Sequence, residues 1–186
     1  MADIYIALVH YPVYDRDHKV VTTSITNMDI HDIARSARTY GVKRYFVVTP
    51  TRTLRLLAQK ILDHWERGYG STYNETRKDA LSLVALADDI DATVQMIQKD
   101  TGETPRLVAT SARAGARRIA FAEIREKVAA SGQPLLFLFG TGWGLTEAVL
   151  DRADYILEPI RGVTDYNHLS VRAAAAILLD RLRGER

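Results

Sequence analysis

The 186-residue chain contains no cysteine, which excludes thiolate nucleophiles, thiolate metal sites and a disulfide-stapled scaffold. Proline is scarce, with five residues, so long stretches are free to form regular structure. Neither sign of charge dominates: 25 Lys and Arg stand against 23 Asp and Glu, a formal net charge of +2. Such a weak overall field does not by itself argue for a nucleic-acid partner. No apolar run approaches membrane-spanning length, and Met1-Ala2-Asp3-Ile4 is not a basic segment followed by an apolar one. A cytoplasmic protein with no membrane partner and no metal site is expected.

Hydrophobic residues make up 47% and charged residues 26%, an ordinary globular balance. With no repeat, low-complexity tract or linker, one domain over 1–186 is expected. Short apolar runs at 4–10, 45–49, 81–86, 107–110, 135–139 and 155–157 predict buried strands. Helical periodicity covers 29–40, 53–67, 88–100, 117–130, 145–152 and 169–182. The alternation predicts an α/β fold, a mostly parallel sheet with helices on both faces. Gly41, Gly102 and Gly132 are placed as left-handed helix ends. The polar segment 68–74 is expected to be an exposed loop.

Ligands of parallel α/β sheets gather at the carboxyl ends of the strands, so the residues just after each apolar run are the candidates. Phe139-Gly140-Thr141-Gly142-Trp143-Gly144-Leu145 places three glycines between a strand and a helix, where backbone N–H groups can approach a ligand closely. Its spacing and late position do not fit a dinucleotide fingerprint, and no P-loop is present. A tight strand-to-helix turn explains the glycines equally well, but not the tryptophan among them. Leu157-Glu158-Pro159-Ile160-Arg161-Gly162 ends a strand at a proline, which leaves carbonyls free of the ladder. Asp165-Tyr166-Asn167-His168-Leu169-Ser170-Val171-Arg172 opens into Ala173 to Ala176, with Asp165 or Asn167 as the expected helix cap. The alanines form a flat surface, for another helix of the chain or for a second copy. Two basic segments, Arg35, Arg38, Lys43 and Arg44, then Arg106, Arg113, Arg117 and Arg118, could neutralise phosphates or be solvated helix faces.

The order of strand, Phe-Gly-rich loop, Leu-Glu-Pro-Ile-Arg-Gly and Asn-His-Leu-Ser-Val-Arg-Ala-Ala-Ala-Ala-Ile resembles the C-terminal half of the SPOUT methyltransferases. In that family a Phe-Gly-x-Glu-x-x-Gly-Leu loop, an Ile-Pro-Met loop and a Ser-Leu-Asn-Val-Ser-x-Ala helix form a deep trefoil knot around S-adenosylmethionine. The segment from Asp29 to Val42 is similar to the family's first motif, Asn-x-Gly-x-Ile-x-Arg-Thr-x-x-x-Phe-Gly-Val, with Asp29 at the position of its Asn. The glycine loop is one residue shorter than the family's and lacks its Glu. The chain resembles in particular the branch of SAM-dependent RNA methyltransferases that carries Phe-Gly-Thr-Gly-Trp-Gly-Leu and Tyr-Asn-His-Leu-Ser-Val-Arg.

The resemblance implies an α/β-knot fold, S-adenosylmethionine as cofactor, tRNA or rRNA as substrate, and a homodimer paired through the helices at 29–40 and 169–182. It places the cofactor against Thr110, against Phe139, Gly140, Thr141, Gly142, Trp143 and Gly144, against Leu157, Pro159, Ile160 and Gly162, and against Tyr166, Asn167, His168 and Leu169. Arg35 would orient the acceptor or its phosphate across the dimer, with Asp29 as the partner drawing off its proton. Asp29 as a plain helix cap, and His31 or His168 as proton acceptor, are the alternatives. A non-catalytic module that binds cofactor and RNA is the competing reading. A Rossmann- or flavodoxin-type nucleotide-binding enzyme is a more distant one.

Overall fold

A computed structural model describes residues 1–130 and 132–185. Its core is one parallel sheet. The central strand β1 (Ile4–Val9) is apolar and buried along its whole length, as a strand covered on both faces must be. It lies between β4 (Arg44–Val48) and β7 (Leu135–Gly140), with Ile6 opposite Tyr45 on one side and Phe137 on the other. β5 (Val84–Ala87) flanks β4; β6 (Arg106–Ala109) and the short β8 (Tyr155–Ile156) complete the order β5-β4-β1-β7-β6-β8.

Counted in chain order within this sheet, the strands run 3-2-1-5-4-6, whereas a doubly wound dinucleotide-binding sheet runs 3-2-1-4-5-6. The fourth and fifth strands are exchanged. β7 is inserted between β6 and β1 instead of being added outside, and this separates the fold from the Rossmann alternative. After edge strand β8 the chain returns to the sheet centre, where α8 (Val171–Arg183) packs against α1 (Asn27–Thr39), α6 (Phe121–Ala130) and β7.

Side chains alternate between two cores, following the two-residue period of a strand. Ile4, Ile6, Leu8, Tyr45, Val47, Phe137 and Phe139 face α1, α6 and α8, meeting Ile30, Ile33, Ile124, Leu178 and Leu179. Tyr5, Ala7, Val9, Phe46, Val48, Leu136 and Leu138 face α5 (Ile90–Thr101) and α7 (Glu147–Arg152), meeting Ile97 and Val149. Each fully buried aliphatic or phenyl side chain contributes about 1.5–3 kcal/mol through the water it escapes. Arg183 fastens the end of α8 by donating to Ala2 O at 2.6 Å and Gly41 O at 2.7 Å.

Several boundaries differ from expectation. After α2 (Arg52–Glu66), the segment 68–74 is not a plain loop: it contains α3 (Gly70–Tyr73). Asn74 then caps α4 (Glu75–Leu81), accepting from Arg77 N at 2.9 Å, so Leu81 is helical and the strand begins only at Val84. Apolar helix end and apolar strand simply adjoin in sequence. α6 starts at Phe121 instead of 117, because Ile119 is used in a parallel bridge with Leu157. α7 starts at Glu147. The cap of α8 is Ser170, whose hydroxyl accepts from Ala173 N, and not Asp165 or Asn167. Likewise Thr26 caps α1, so Asp29 is not the cap but lies in the first turn. Gly41 and Gly102 have the expected positive φ, whereas Gly132, beyond the end of α6 at Ala130, is not among the glycines with positive φ. An unexpected hairpin, β2 (Val13–Tyr14) with β3 (Val20–Val21), fills the connection after β1.

Candidate active site

A cavity of about 750 Å³ opens at the carboxyl ends of β1, β7 and β6, within the size range of cofactor pockets, about 300–1,000 Å³. This is the crevice where the sheet's winding changes direction. Of the expected cofactor residues, Thr110, Phe139, Gly140, Thr141, Gly142, Trp143, Gly144, Leu157, Ile160, Asn167, His168 and Leu169 line it. Pro159, Gly162 and Tyr166 do not. Apolar walls come from Phe139, Leu145, Leu150, Leu157 and Leu178; Thr110, Thr141 and Asn167 add polar groups.

The loops are tied to one another by specific bonds. Asn167 Nδ2 donates to Ala112 O at 2.6 Å, joining the loop after β8 to the loop after β6. The glycine loop is moulded on the hairpin: Tyr14 N donates to Gly144 O and Trp143 N to Tyr14 O, both at 2.9 Å. A Cβ at Gly140 would stand 2.6 Å from Leu145 N, so the loop folds back on its own backbone there. Gly144 has φ +101°, a conformation side-chain-bearing residues rarely adopt.

Under this loop runs a polar chain that sequence reading missed. Thr141 Oγ1 donates to Val9 O at 3.0 Å and so must accept from Thr23 Oγ1. Thr23, having given its proton to Thr141, must accept from His10 Nδ1 at 3.0 Å. The carbonyl of Val9 therefore fixes His10 as the Nδ1–H tautomer, with Nε2 buried and without a hydrogen-bond partner. His10 is fully buried, and burial lowers its pKa to about 4, outweighing the opposing charge of Asp29. The imidazole is neutral at physiological pH and serves to position the loop.

Besides Arg113, four titratable side chains line the cavity among the described residues: His18, Asp29, Glu158 and His168. Glu158 is committed structurally, accepting from Phe121 N at 2.8 Å at the start of α6. Asp29 lies 3.4 Å from Arg172 Nε, and Arg172 also reaches Asp32 at 3.2 Å. His18, Thr23, Ser24 and Thr26 enter from the hairpin side. The polar run Thr22-Thr23-Ser24 after Val20-Val21 was the only sequence signal for them.

Arg35 is not in this cavity. It lines a separate groove of about 670 Å³ between α1, α2 and α4, together with His31. The basic segments are also largely neutralised: Arg38 pairs with Asp79, Lys43 with Asp3, Arg44 with Asp100 and Arg106 with Asp154. Arg113 and Arg118 donate to backbone carbonyls near the cavity mouth.

Exchanged strands, a glycine loop folded onto a hairpin and a cofactor-sized crevice define a parallel α/β protein with its ligand site at the carboxyl ends of the strands. Residues 3–184 match the family described as SAM-dependent RNA methyltransferase, and the chain belongs to that family. S-adenosylmethionine is accordingly its methyl donor and RNA its acceptor. An uncharacterised protein of Aquifex aeolicus is 42% identical over 180 residues, covering 97% of this chain and 88% of that one. A tRNA (guanine-N(1)-)-methyltransferase of Nitratidesulfovibrio vulgaris is 45% identical over 183 residues, 98% of this chain. The chain spans only 42% of that relative. Among solved structures, the SpoU methyltransferase AviRb of Streptomyces viridochromogenes superposes with a TM-score of 0.61 at 17% identity, covering 97% of this chain and 58% of that one. The two chains share this fold. Among the described residues no helix is long and apolar enough to cross a membrane, and no group of His, Cys, Asp and Glu could hold a metal ion.

Proposed function

We propose that residues 1–186 form one catalytic unit that methylates tRNA or rRNA, with the cofactor seated in the cavity below Trp143. Support comes from the coincidence of the three loops with a single crevice at the winding reversal of the sheet. Leu145, Leu157 and Leu178 offer apolar walls to an adenine ring, and Thr110 and Asn167 offer polar groups to its sugar. The return of α8 from the sheet edge to its centre is read as the threading of the trefoil knot.

S-adenosylmethionine supplies an activated methyl group: an acceptor nitrogen or oxygen forms the new bond to carbon while sulfur keeps the electron pair of the old one. What the protein adds is placement of the acceptor and removal of its proton. Asp29 is the carboxylate that faces the cavity without being bound to a helix end, and its contact with Arg172 holds it in place. His168 also lines the cavity and is the second candidate for the proton, whereas His31, on the far side of α1, is not.

In a single chain Arg35 is remote from this cavity, so its role in acceptor orientation requires a second copy. α8 spends Ala175, Leu178, Leu179 and Leu182 on its own chain, and its half-buried Ala173, Ala176 and Ile177 remain for a partner. We read the protein as a homodimer in which Arg35 of one chain approaches the cavity of the other. The substrate test is mass spectrometry of modified nucleosides in RNA from cells with and without the gene. Loss of one methylated nucleoside is expected; an unchanged inventory would contradict the reading.

A further inference from the structure

The groove around Arg35 has a composition that cofactor binding does not account for. Its floor is Trp65, with His31 and His64 edge-on at ring distances of 5.3 and 5.6 Å. The Arg77 guanidinium lies over the Trp65 ring at 5.0 Å, a cation–π contact that holds it in the groove. A Cβ at Gly70 would come within 2.8 Å of Trp65, so the chain of α3 is pressed onto the indole.

Three cations line this groove, Arg35, Lys60 and Arg77, and none forms an ion pair among the described residues. Arg38, Arg44, Arg55, Arg106, Arg152 and Arg172, by contrast, are each held by a carboxylate. The groove's one carboxylate, Asp32, is already bound to Arg172. Burial, reinforced by the charges of Arg77 and Arg35, holds the His31 imidazole below its ordinary pKa. Beside the groove, Tyr69 just before α3 and Tyr73 at its end stack on each other at 5.9 Å with 75% and 71% of their surfaces exposed. A pair of rings this open has no structural task in the chain itself.

We propose that this face anchors the RNA strand: Lys60, Arg77 and Arg35 take successive phosphates, and the Tyr69–Tyr73 pair stacks an unpaired base. The proposal rests on RNA being the acceptor and extends that reading by naming where the strand is held. Unpaired cations lining one groove match a backbone with one negative charge per nucleotide. Exposed tyrosines next to them match a base, since stacking on an aromatic side chain is indifferent to sequence. Of the two arginine-rich stretches legible in the sequence only Arg35 enters this groove; Arg38, Lys43, Arg44 and Arg106 are spent on carboxylates, and Arg113 and Arg118 on carbonyls.

The test is fluorescence anisotropy with a labelled 12-nucleotide oligouridylate, titrated at several salt concentrations, for the parent, Lys60→Ala, Arg77→Lys, Arg77→Ala and Tyr73→Ala. Each lost cation is expected to reduce the log–log salt slope by about 0.7, the single-strand value per phosphate. Arg77→Lys should keep the slope, which separates lost charge from disturbed packing on Trp65. Tyr73→Ala should weaken binding about fivefold or more with the slope unchanged. S-adenosylmethionine affinity should be the same in all five proteins. If the parent binds RNA and Lys60→Ala and Arg77→Ala bind it with the same affinity and slope, the groove assignment is wrong while the methyltransferase reading stands. If the parent binds the cofactor but no RNA, the acceptor reading falls and the groove with it. Equal competition by a poly-aspartate peptide would assign the face to an acidic protein segment and overturn the proposal.

Discussion

Arg172 Nε, in the first turn of α8, stands 3.4 Å from Asp29 Oδ1, in the first turn of α1, with Asp32 Oδ2 at 3.2 Å from the same guanidinium. One residue at the end of the chain thus fixes the carboxylate proposed for proton transfer. The Asp29 side chain is only 15% exposed and that of Arg172 30%, so the contact is neither a solvated surface pair nor a dry one. Arg172→Ala should cost about 1–2 kcal/mol, between the ranges for exposed and buried pairs. Asp29→Asn in the same chain should recover part of it, because no charge is then stranded. Urea unfolding of the parent, both single variants and the double variant measures this; strictly additive losses would show that the two residues are independent.

The His10–Thr23–Thr141 chain predicts a pH effect. In the unfolded chain His10 binds a proton near its ordinary value of 6.5, whereas in the folded protein it resists protonation down to about 4. Between those values the unfolded state holds more protons, so this group costs stability as pH falls and the cost is absent above 6.5. The full effect is up to about 3 kcal/mol at the low end of the window. Carboxylates titrate there too, so the quantity to measure is the difference between the parent and His10→Gln, by urea midpoints at pH 7.5 and 4.5. The difference should move in favour of the variant as pH drops; parallel losses would refute the assignment.

Gly144 and Gly140 should fail in different ways. At Gly144 a Cβ meets nothing within 4 Å, so Gly144→Ala suffers only the strain of φ +101°, about 1–2 kcal/mol. At Gly140 the added carbon meets the backbone of Leu145, so Gly140→Ala must displace the loop. Thermal unfolding and cofactor titration together check this: Gly144→Ala should lose stability chiefly, and Gly140→Ala should lose cofactor affinity about tenfold or more.

The homodimer reading is tested by mixing. Arg35→Ala and Gly140→Trp chains should each be inactive as homodimers, and a mixture should recover part of the methyl transfer by forming one intact composite site. Sedimentation of the parent accompanies the assay. A monomer that remains fully active on dilution would contradict the reading.

Much of this was legible in the sequence because buried parallel strands leave unbroken apolar runs, and the runs at 4–10, 45–49 and 135–139 correspond to β1, β4 and β7. The glycine loop and the Asn167–Leu169 segment were legible because strand ends are where such a sheet binds ligands. The wall built by the hairpin was not, since two-residue strands carry no detectable period. Helix α4 was masked by Leu81, which continues into the apolar run of β5. The separation of Asp29 from Arg35 is a matter of helical geometry: six positions apart places them roughly 120° apart around α1. Asp29 turns toward Arg172 and the cavity, Arg35 toward His31 and the groove. A linear motif containing both could not show which face each would occupy.

The cavity between β1, β7 and β6 is where the methyl donor is expected to bind. Isothermal calorimetry of S-adenosylmethionine against the parent protein and Gly140→Trp, with circular dichroism to establish that both are folded, measures this. The expected result is saturable binding by the parent and its loss in the variant, whose indole would occupy the backbone of the loop. A folded parent that binds nothing at millimolar cofactor, or a folded variant that binds as tightly as the parent, would contradict it.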